Sequence, residues 1–401
     1  MTPSVGTQQS AQTAVFETAP RRFDFLDLRA QFATIREEVM TAVTGVMESQ
    51  FFILGKEVQL FEEEFAQAFH AQHAVSCASG SDALVLALMA AGVGAGHEVI
   101  TSPFTFIATA GSIARVGAKP VFVDIDPGSF NIDVQQIPAA ITPRTRAIMP
   151  VHLFGLAADL EPIKAIAEAH GLTVIEDAAQ AVGAKYKDGM VGNFGRFGCF
   201  SFFPSKNLGG AGDGGLVTTS DPASAEQLRL LRVHGSRGKY RHEILGTNSR
   251  LDSLQAAILR VKLRHLEKWT EGRRALAQKY HQLFPHFGLA QVVTLPADPP
   301  VGHLHVFNQF TIRCPERDLL REHLRRCGIP SEVYYPLPLH LQPAFSYLGY
   351  QMGQFPQAEA ASAEVLSLPV FAELTEVQQI SVVQSIADFY LPEQRNGDSA
   401  P

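Results

Sequence analysis

The sequence predicts a wound α/β domain followed by a smaller α+β region. Short runs rich in apolar and β-branched residues alternate with longer helical patterns up to about residue 250. Several runs are apolar at nearly every position, which is typical of strands that helices cover on both faces. Alternating strands and helices form a sheet between layers of helices, so this order of elements indicates the α/β class.

Each predicted element of this part has a local signal. Residues 82–91 and 160–170 form helical patterns, and the second pattern ends at Gly171, as a helix with a glycine C-cap would. The seven predicted strands cover residues 74–77, 98–101, 120–124, 147–151, 172–175, 198–202 and 215–218. Together they predict a large domain over residues 23–260.

The pattern changes after Leu251. Residues 251–280 carry Leu and Ala at helical spacing with charges on the opposite face, which predicts one long helix. A smaller α+β region follows and contains an extended run at 331–335, so we expect a C-terminal domain over residues 261–392. The polar ends, 1–22 and 393–401, are predicted to be loose tails.

Composition and charge argue against several classes of protein. A chain of 401 residues with 46% hydrophobic content can bury a large core. The net charge of −7 and the dispersed basic residues give no reason to expect nucleic acid as a partner. No window approaches the ~20 apolar residues of a membrane span, and the first residues lack the pattern of a signal peptide.

The four cysteines predict no metal site. None belongs to a C-x-x-C pair, and none has histidines at metal-ligand spacing. Cys77 and Cys199 lie in apolar strand runs and are interpreted as small core residues. We therefore expect a protein of the reducing cytoplasm.

One lysine lies in an unusual setting. Lys206 follows the apolar run 198–202 and is flanked by Ser205 and Asn207, with no other charge beside it. Most lysines are surface residues, but a lysine just beyond a buried strand favours a chemical role. The glycine-rich run 209–215 that follows indicates only a tight or flexible turn.

Two acids follow the apolar run that ends at Ile175. Glu176 and Asp177 stand at the carboxyl end of this predicted strand, where the sites of wound α/β folds gather. Asp177 is a candidate to hold a cationic group, and Gln180, one helical turn later, could reach the same ligand. An Asp at such a position is also well suited to cap a helix, so that alternative stays open.

A third segment joins the first predicted strand to a helix. Gly80 lets the backbone approach an anion closely, and the first-turn N–H groups beside Ser81 point along the favourable helix dipole. Ser201, just before the lysine, is a further possible phosphate ligand. Plain N-capping by Ser79 or Ser81 is the alternative explanation of this segment.

Together these features meet the requirements of pyridoxal 5′-phosphate (PLP) chemistry. PLP enzymes need a lysine that binds the cofactor covalently and moves protons, a carboxylate at the ring nitrogen, a phosphate cup and a flat group against the ring. Phe106 could supply the flat group, although an isolated Phe is more often a core residue. No Gly-x-Gly-x-x-Gly follows the first predicted strand, which disfavours a dinucleotide enzyme. The sequence predicts an enzyme that anchors PLP on Lys206.

The motifs, in this order, resemble the DegT/DnrJ/StrS family of PLP-dependent sugar aminotransferases from about Phe25 to Tyr390. The matching segments are 55–58, 77–84, 176–181, 201–207, 246–252 and 255–257. The resemblance implies an α/β protein of PLP-dependent transferase fold type I, which is aspartate-aminotransferase-like. Such a protein has a large mixed-sheet domain and a smaller C-terminal α+β domain. The resemblance also implies a homodimer with two active sites at its interface.

The same resemblance implies residue roles. Lys206 would be the covalent anchor, and Asp177 would hold the pyridine nitrogen. Asn248 would reach the phosphate from the partner subunit, with Arg250 beside it near the sugar nucleotide. The residues implied to bind PLP are Gly80, Ser81, Phe106, Asp177, Gln180, Ser201, Lys206 and Asn248.

The segment 333–344 is similar to family members that aminate the third carbon of a nucleotide-linked keto sugar. On that basis Tyr335 and His340 are candidate sugar contacts, although the Pro-x-Pro at 336–338 could simply shape an extended loop. The implied reaction moves an amino group from glutamate to a UDP- or dTDP-linked keto hexose. The products would serve aminosugar biosynthesis or cell-envelope glycans such as lipopolysaccharide. Amination at the fourth carbon stays an alternative.

Two rival functions share this scaffold. PLP-dependent sugar dehydratases carry histidine in place of the anchoring lysine, so Lys206 argues against that branch. A PLP-binding regulator without catalysis is the other alternative. The sequence shows no separate DNA-binding helical module and no stripe of basic residues that would favour it.

Overall fold

The computed structural model describes residues 23–391, and the predicted tails at 1–22 and 393–401 lie outside the described residues. Within residues 23–391 the α-helices are α1 (Leu28–Ser49), α2 (Lys56–Ala68), α3 (Gly80–Ala90), α4 (Ala108–Arg115), α5 (Ile137–Ala140), α6 (Leu160–His170), α7 (Pro222–Leu231), α8 (Ser253–Leu263), α9 (Leu266–His286), α10 (Arg317–Arg326), α11 (Pro356–Glu364) and α12 (Glu376–Tyr390). No helix in this range combines the length and apolarity needed to cross a membrane.

The strands of the same range form one large sheet and two small ones. They are β1 (His73–Cys77), β2 (Glu98–Thr101), β3 (Lys119–Phe122), β4 (Thr145–Ile148), β5 (Thr173–Asp177), β6 (Lys185–Tyr186), β7 (Gly189–Met190), β8 (Phe197–Ser201), β9 (Gly215–Thr219), β10 (Phe310–Arg313) and β11 (Val365–Leu368). Each of the seven predicted strands corresponds to one strand of the large sheet, with ends that differ by at most three residues.

The large sheet has the strand order β1-β9-β8-β5-β4-β2-β3. Neighbouring strands from β8 to β3 are parallel, whereas β9 is antiparallel to both β1 and β8. This mixed sheet confirms the predicted α/β class. Because every strand except β9 points the same way, their carboxyl ends meet at one edge, where the sites of such sheets form.

Burial explains why these elements could be predicted. Every residue of β8 and β9 is buried. Helix α3 contributes Leu84 and Leu88 to the same apolar cluster as Phe197 and Val217 of the sheet. Burying a side chain of this size stabilises the fold by about 1.5–3 kcal/mol. The cluster therefore fixes the start of α3 relative to the ends of β1 and β8.

The predicted helix over 251–280 is wrong in one respect, because the structure divides it into α8 and α9. Arg264 and His265 form a turn in which their N–H groups donate to the carbonyls of Val261 and Lys262. The change of direction lets α8 contact α1 and α2 while α9 contacts α12. Periodicity could not show this break, since both helices keep an apolar face.

The C-terminal residues build a second core. Strands β10 and β11 pair antiparallel, and α9, α10 and α12 pack on them. The large buried side chains of this core include Tyr280, Phe284, Phe310, Leu320 and Ile386. The extended run at 331–335 does not become a strand, because only Glu332 forms a bridge, to Ser367 of β11. The residues that follow it leave the small sheet and reach the edge of the large one.

Candidate active site

A cavity of about 640 Å³ opens at the carboxyl edge of the large sheet. Its walls come from the loops after β1, β2, β5 and β8 and from the segment 333–335. The predicted site residues that line it are Gly80, Ser81, Phe106, Asp177, Gln180, Ser201, Lys206 and Tyr335. The fold thus brings together polar residues that are far apart in the sequence.

Lys206 lies in the turn after β8, where its backbone N–H donates to the carbonyl of Phe203 at 2.8 Å. The side chain is half-buried and lines the cavity. Burial lowers the pKa of Lys206 to about 8, an effect that the nearby Asp177 carboxylate opposes. At pH 7 about a tenth of such an amine is uncharged, against fewer than about one in a thousand for an ordinary lysine. The site therefore provides a nucleophilic amine near neutral pH.

Asp177, and not Glu176, faces the cavity, because successive side chains of a strand point to opposite faces. Asp177 is 4% exposed, and its Oδ2 accepts a hydrogen bond from the Thr109 hydroxyl at 2.8 Å. Its Oδ1 accepts one from the Ala179 N–H at 3.2 Å. Burial raises the pKa of Asp177, while these two hydrogen bonds and the charge of Lys206 act to lower it.

The alternative role of Asp177 as a helix cap is not realised. The residues directly after β5 form turns, and the next helix in the described chain is α7. The contact with Ala179 is therefore a local turn hydrogen bond, which holds the carboxylate at the end of its strand.

Glu176 has a structural role on the opposite face of β5. Its carboxylate accepts hydrogen bonds at 2.7 to 2.8 Å from three backbone N–H groups in the loop 192–195. It also lies 3.0 Å from Nε2 of His152, whose Nδ1 accepts from the N–H of Ala158. Because Nδ1 is an acceptor, Nε2 carries the proton and donates it to Glu176. These donors satisfy the buried carboxylate, so Glu176 fixes the loop and does not face the cavity.

Gly80 begins α3 directly against the end of β8. A Cβ at Gly80 would lie only 2.5 Å from the Cβ of Ser201, so this approach requires glycine. Ser79 caps the helix, because its Oγ accepts from the N–H of Asp82 at 3.1 Å. Ser81 is therefore not the cap, and it lines the cavity together with Ser201. Hydroxyls beside a helix N-terminus form an environment that favours a phosphate.

Gln180 connects two walls of the cavity. Its Oε1 accepts from the Phe154 N–H at 2.7 Å, and its Nε2 donates to the Tyr335 hydroxyl at 3.0 Å. Burial raises the pKa of Tyr335, so this phenol keeps its proton and has a hydrogen to donate. The ring of Phe106 lies 6.3 Å from that of Tyr335 and is 55% exposed. Phe106 is therefore a wall of the cavity and not a core residue.

His340 does not line this cavity, and its expected contact with the sugar stays a prediction. The side chain is 2% exposed, and its Nε2 lies 3.0 Å from Oε1 of Glu359. Burial lowers the pKa of His340, so the neutral ring donates its Nε2 hydrogen to that carboxylate. A short 3-10 helix at Leu339–Leu341 follows Pro338 and turns the imidazole into the interior.

Asn248 and Arg250 also lie outside the lining of this cavity. Between them, the fully buried Ser249 donates to Asp82 at 2.8 Å and accepts from the Ala78 N–H at 3.2 Å. Ser249 thus fixes this segment beside the start of α3. Asn248 is exposed and Arg250 is half-buried, and their expected roles toward a neighbouring subunit stay predictions.

The polar residues that the sequence interpretation missed at this site include Thr105, Thr109 and Gln309. Thr109, on α4, supports Asp177, and its hydroxyl lies 3.0 Å from that of Thr105 in the cavity wall. Gln309 enters from the C-terminal part, where its Oε1 accepts from Asn308 at 2.6 Å. Nothing in the sequence distinguishes these residues, because their positions follow from packing between distant elements.

Residues 33–387 match the model of the DegT/DnrJ/EryC1/StrS aminotransferase family. The chain belongs to this family. The match covers most of the described residues and confirms the resemblance that the motifs indicate.

Two relatives and one crystal structure illustrate the similarity. A Geobacillus stearothermophilus protein named pleiotropic regulatory protein is 55% identical over 91% of this chain and 98% of its own. A UDP-N-acetyl-3-dehydro-α-D-glucosamine 3-aminotransferase from Acidithiobacillus ferrooxidans is 49% identical over 88% of this chain and 94% of its own. The crystal structure of S. venezuelae DesV in complex with a ketimine intermediate is 44% identical, with a TM-score of 0.89. The match covers 92% of this chain and 99% of DesV, which confirms fold type I.

The DegT/DnrJ/EryC1/StrS family is PLP-dependent, and the cavity fits this cofactor. Its volume of about 640 Å³ lies within the usual range for small-molecule sites. The start of α3 lines the cavity beside Ser201, where a phosphate could bind, while Lys206 and Asp177 supply an amine and a carboxylate in the same space. These residue types are the ones that PLP requires.

Proposed function

We propose that this protein transfers an amino group from glutamate to the third carbon of a UDP- or dTDP-linked keto sugar, with PLP held on Lys206. The observation that carries the proposal is one cavity that contains an amine of lowered pKa and the buried carboxylate of Asp177. Membership in an aminotransferase family supports the reaction class.

Lys206 is proposed to move the protons of both half-reactions. Bound PLP supplies an electron-withdrawing ring that stabilises the charge left when a proton leaves the amino-acid carbon. Lys206 Nζ takes that proton as a base and returns it to a neighbouring carbon as an acid. A pKa of about 8 suits both tasks near neutral pH. The same transfers, in the opposite order, complete the amination of the sugar.

The surrounding residues orient the cofactor. Asp177 holds a proton at the ring nitrogen, because a nearby carboxylate favours the charged form of a base. Gly80, Ser81 and Ser201 form the phosphate cup at the start of α3. Gln180 and Phe106 flank the ring, with Gln180 also fixing the hydroxyl of Tyr335.

Support for the third carbon comes from the segment 333–344 and from the A. ferrooxidans relative, whose name specifies a 3-dehydro sugar. Tyr334 and Tyr335 of that segment both line the cavity, and we favour Tyr335 as the sugar contact because Gln180 fixes its hydroxyl. Incubation with UDP- and dTDP-linked keto sugars and glutamate, followed by mass spectrometry and NMR, tests the assignment. A product aminated only at the fourth carbon would overturn it.

A PLP-binding regulator is the second candidate function, because the G. stearothermophilus relative is named as a regulatory protein. The two candidates differ in their response to glutamate. A transaminase loses the visible absorbance of its lysine-bound cofactor when glutamate is added, whereas a non-catalytic binder keeps it. We favour catalysis because Lys206 and Asp177 lie together in the cavity.

We propose that the active unit is a homodimer with shared sites. Exposed apolar residues support an interface, since Phe51 and Ile53 are 72% and 52% exposed. Ile53 forms a bridge with Asp252, which places these residues next to the segment of Asn248 and Arg250. Asn248 would then reach the phosphate in the partner's cavity.

Subunit mixing tests the shared sites. Lys206→Ala subunits, inactive alone, and Asn248→Ala subunits, weakly active alone, should together regain about a quarter of wild-type activity when co-expressed. Random pairing makes half of the dimers hybrid, and each hybrid has one intact site. No recovery in a verified hybrid would refute the assignment of Asn248.

The cellular setting is also a proposal. The four cysteines are unpaired in residues 23–391, as the reducing cytoplasm favours. We propose that the enzyme acts there in aminosugar biosynthesis, for cell-envelope glycans among other products.

The covalent anchor has a direct test. Lys206→Ala should abolish both the visible absorbance of the bound cofactor and turnover, because no other amine replaces Nζ. Lys164→Ala is the matched control, since Lys164 is an exposed lysine on α6. A Lys206→Ala protein that stays coloured and active would refute the proposal.

A further inference from the structure

Two threonines lie behind the carboxylate of Asp177. Thr109 is fully buried, and its Oγ1 lies 2.8 Å from Oδ2 of Asp177. Thr105 is 3% exposed, and its Oγ1 lies 3.0 Å from that of Thr109. The two hydroxyls thus form a short chain that ends on the carboxylate.

The direction of this chain follows from hydrogen counting. A hydroxyl has one hydrogen to donate, and an ionised carboxylate only accepts. Thr109 gives its hydrogen to Asp177, so its oxygen accepts the hydrogen of Thr105. Both dipoles therefore point their positive ends toward the carboxylate, and each strengthens the other.

The other oxygen of Asp177, Oδ1, also accepts a single hydrogen bond, and that bond is longer. Oδ1 accepts one N–H, from Ala179 at 3.2 Å, and a carboxylate oxygen has a second lone pair. The charged or titratable groups that interact with Asp177 include Lys206, His152, Cys199 and Tyr335. Burial raises the pKa of Asp177 and favours the neutral acid. The hydrogen bond from Thr109 lowers that pKa and so stabilises the ionised carboxylate.

We propose that Thr109, supported by Thr105, is a positioning residue that keeps Asp177 ionised and leaves Oδ1 available for the ring nitrogen of PLP. This inference rests on the proposed function, because it assigns a task to Asp177 toward that cofactor. It concerns a residue that touches neither cofactor nor substrate, so its effect must be transmitted through the carboxylate.

Thr109→Val keeps the shape of the side chain and removes the hydroxyl. The variant should bind PLP about tenfold more weakly when apo-protein is titrated, a change of about 1.4 kcal/mol. Hydrogen bonds to charged groups are in this range or somewhat stronger. Thr109→Ser retains the hydroxyl and should bind PLP within about threefold of wild type.

A second measurement separates electrostatics from packing. A protonated ring withdraws electrons from the lysine-bound nitrogen and lowers its pKa. In Thr109→Val, Asp177 would be less ionised and would hold the proton on the ring nitrogen less well. The pH midpoint of the visible absorbance should therefore move upward by roughly one unit. A variant that only loosened the packing would lower thermal stability without moving this midpoint.

Thr101→Val is the matched control. Thr101 is also fully buried, and its hydroxyl donates to the carbonyl of Met149 at 2.8 Å, away from Asp177. This variant should keep the wild-type midpoint and affinity. If Thr109→Val does not fold, Thr109→Ala and Thr109→Ser form a second pair that differs by one hydroxyl.

The outcomes distinguish the inference from the function on which it rests. Wild-type affinity and midpoint in Thr109→Val, or an equal shift in Thr101→Val, would overturn the role of Thr109 while the enzyme function stands. A wild-type protein that binds no PLP would overturn the proposed function itself. The expected result is weaker PLP binding and a higher pH midpoint in Thr109→Val, with both values close to wild type in Thr109→Ser.

Discussion

Gly80→Ala should weaken PLP binding by distorting the phosphate cup. The added Cβ would lie 2.5 Å from the Cβ of Ser201, whereas carbon atoms in contact are about 3.5–4.0 Å apart. The start of α3 and the end of β8 would have to separate by roughly 1 Å. Overpacking of this kind typically costs about 1–3 kcal/mol.

The clash is present in apo-protein as well as in the complex, so part of the cost lowers stability and part weakens PLP binding. Both elements that must separate carry predicted phosphate ligands, Gly80 on one side and Ser201 on the other. If most of the cost falls on the complex, the dissociation constant for PLP rises by roughly 5- to 150-fold. Titration of apo-protein with PLP, monitored by absorbance, measures this change. Thermal denaturation of apo-protein measures the part of the cost that lowers its stability.

Gly45→Ala is the control for the same substitution. Gly45 lies inside α1, and a Cβ there meets no atom within 4 Å. Alanine should stabilise this helix by about 0.5–1 kcal/mol and leave PLP affinity unchanged. The reasoning fails if Gly80→Ala binds PLP as tightly as wild type with unchanged stability, or if Gly45→Ala weakens binding to the same extent.

Three further predictions follow from the site. In apo-protein, the rate at which an amine-selective reagent acylates Lys206 should increase up to about pH 8 and then level off, because the pKa of Lys206 is lowered to about 8. Peptide mass spectrometry measures this rate, and a rate that keeps rising toward pH 10 would contradict the prediction. His340→Ala should lower stability by about 1–3 kcal/mol through the loss of its contact with Glu359, yet leave the KM for the sugar within about threefold; a tenfold higher KM would support a sugar-binding role. Glu176→Gln should also destabilise by about 1–3 kcal/mol, because its amide NH2 would face backbone donors such as the Gly192 N–H; equal denaturation curves would refute that reasoning.

Elements buried on two faces could be predicted from the sequence. The predicted runs 172–175 and 198–202, which became β5 and β8, are mostly apolar, so their burial is visible in composition alone. The break between α8 and α9 could not be predicted, because it depends on which neighbours each helix contacts. Arg264 and His265 are ordinary helix residues in isolation, and only the packing of the two helices explains their turn.

The centre of the site was predictable for a related reason. Parallel strands place their carboxyl ends at one edge, so residues that follow β1, β5 and β8 had to lie near one another. The choice between Glu176 and Asp177 was harder, because adjacent residues of a strand face opposite sides and the sequence does not show which side is open. In the structure, backbone N–H groups of the loop 192–195 donate hydrogen bonds to the carboxylate of Glu176, so Asp177 is the acid that faces the cavity.

The substrate side shows where prediction from a motif becomes weak. Tyr335 and His340 belong to one segment, yet the first lines the cavity and the second is buried beside Glu359. Irregular backbone has no fixed period, so a side chain's direction cannot be inferred from its neighbours as it can in a strand. The orientation of Tyr335 is fixed from outside its segment, because Gln180, in the turn after β5, donates a hydrogen bond to its hydroxyl. We therefore expect the proposed sugar contacts to depend on residues where the two parts of the fold meet, and substitution of Gln180 or Gln309 should alter sugar selectivity.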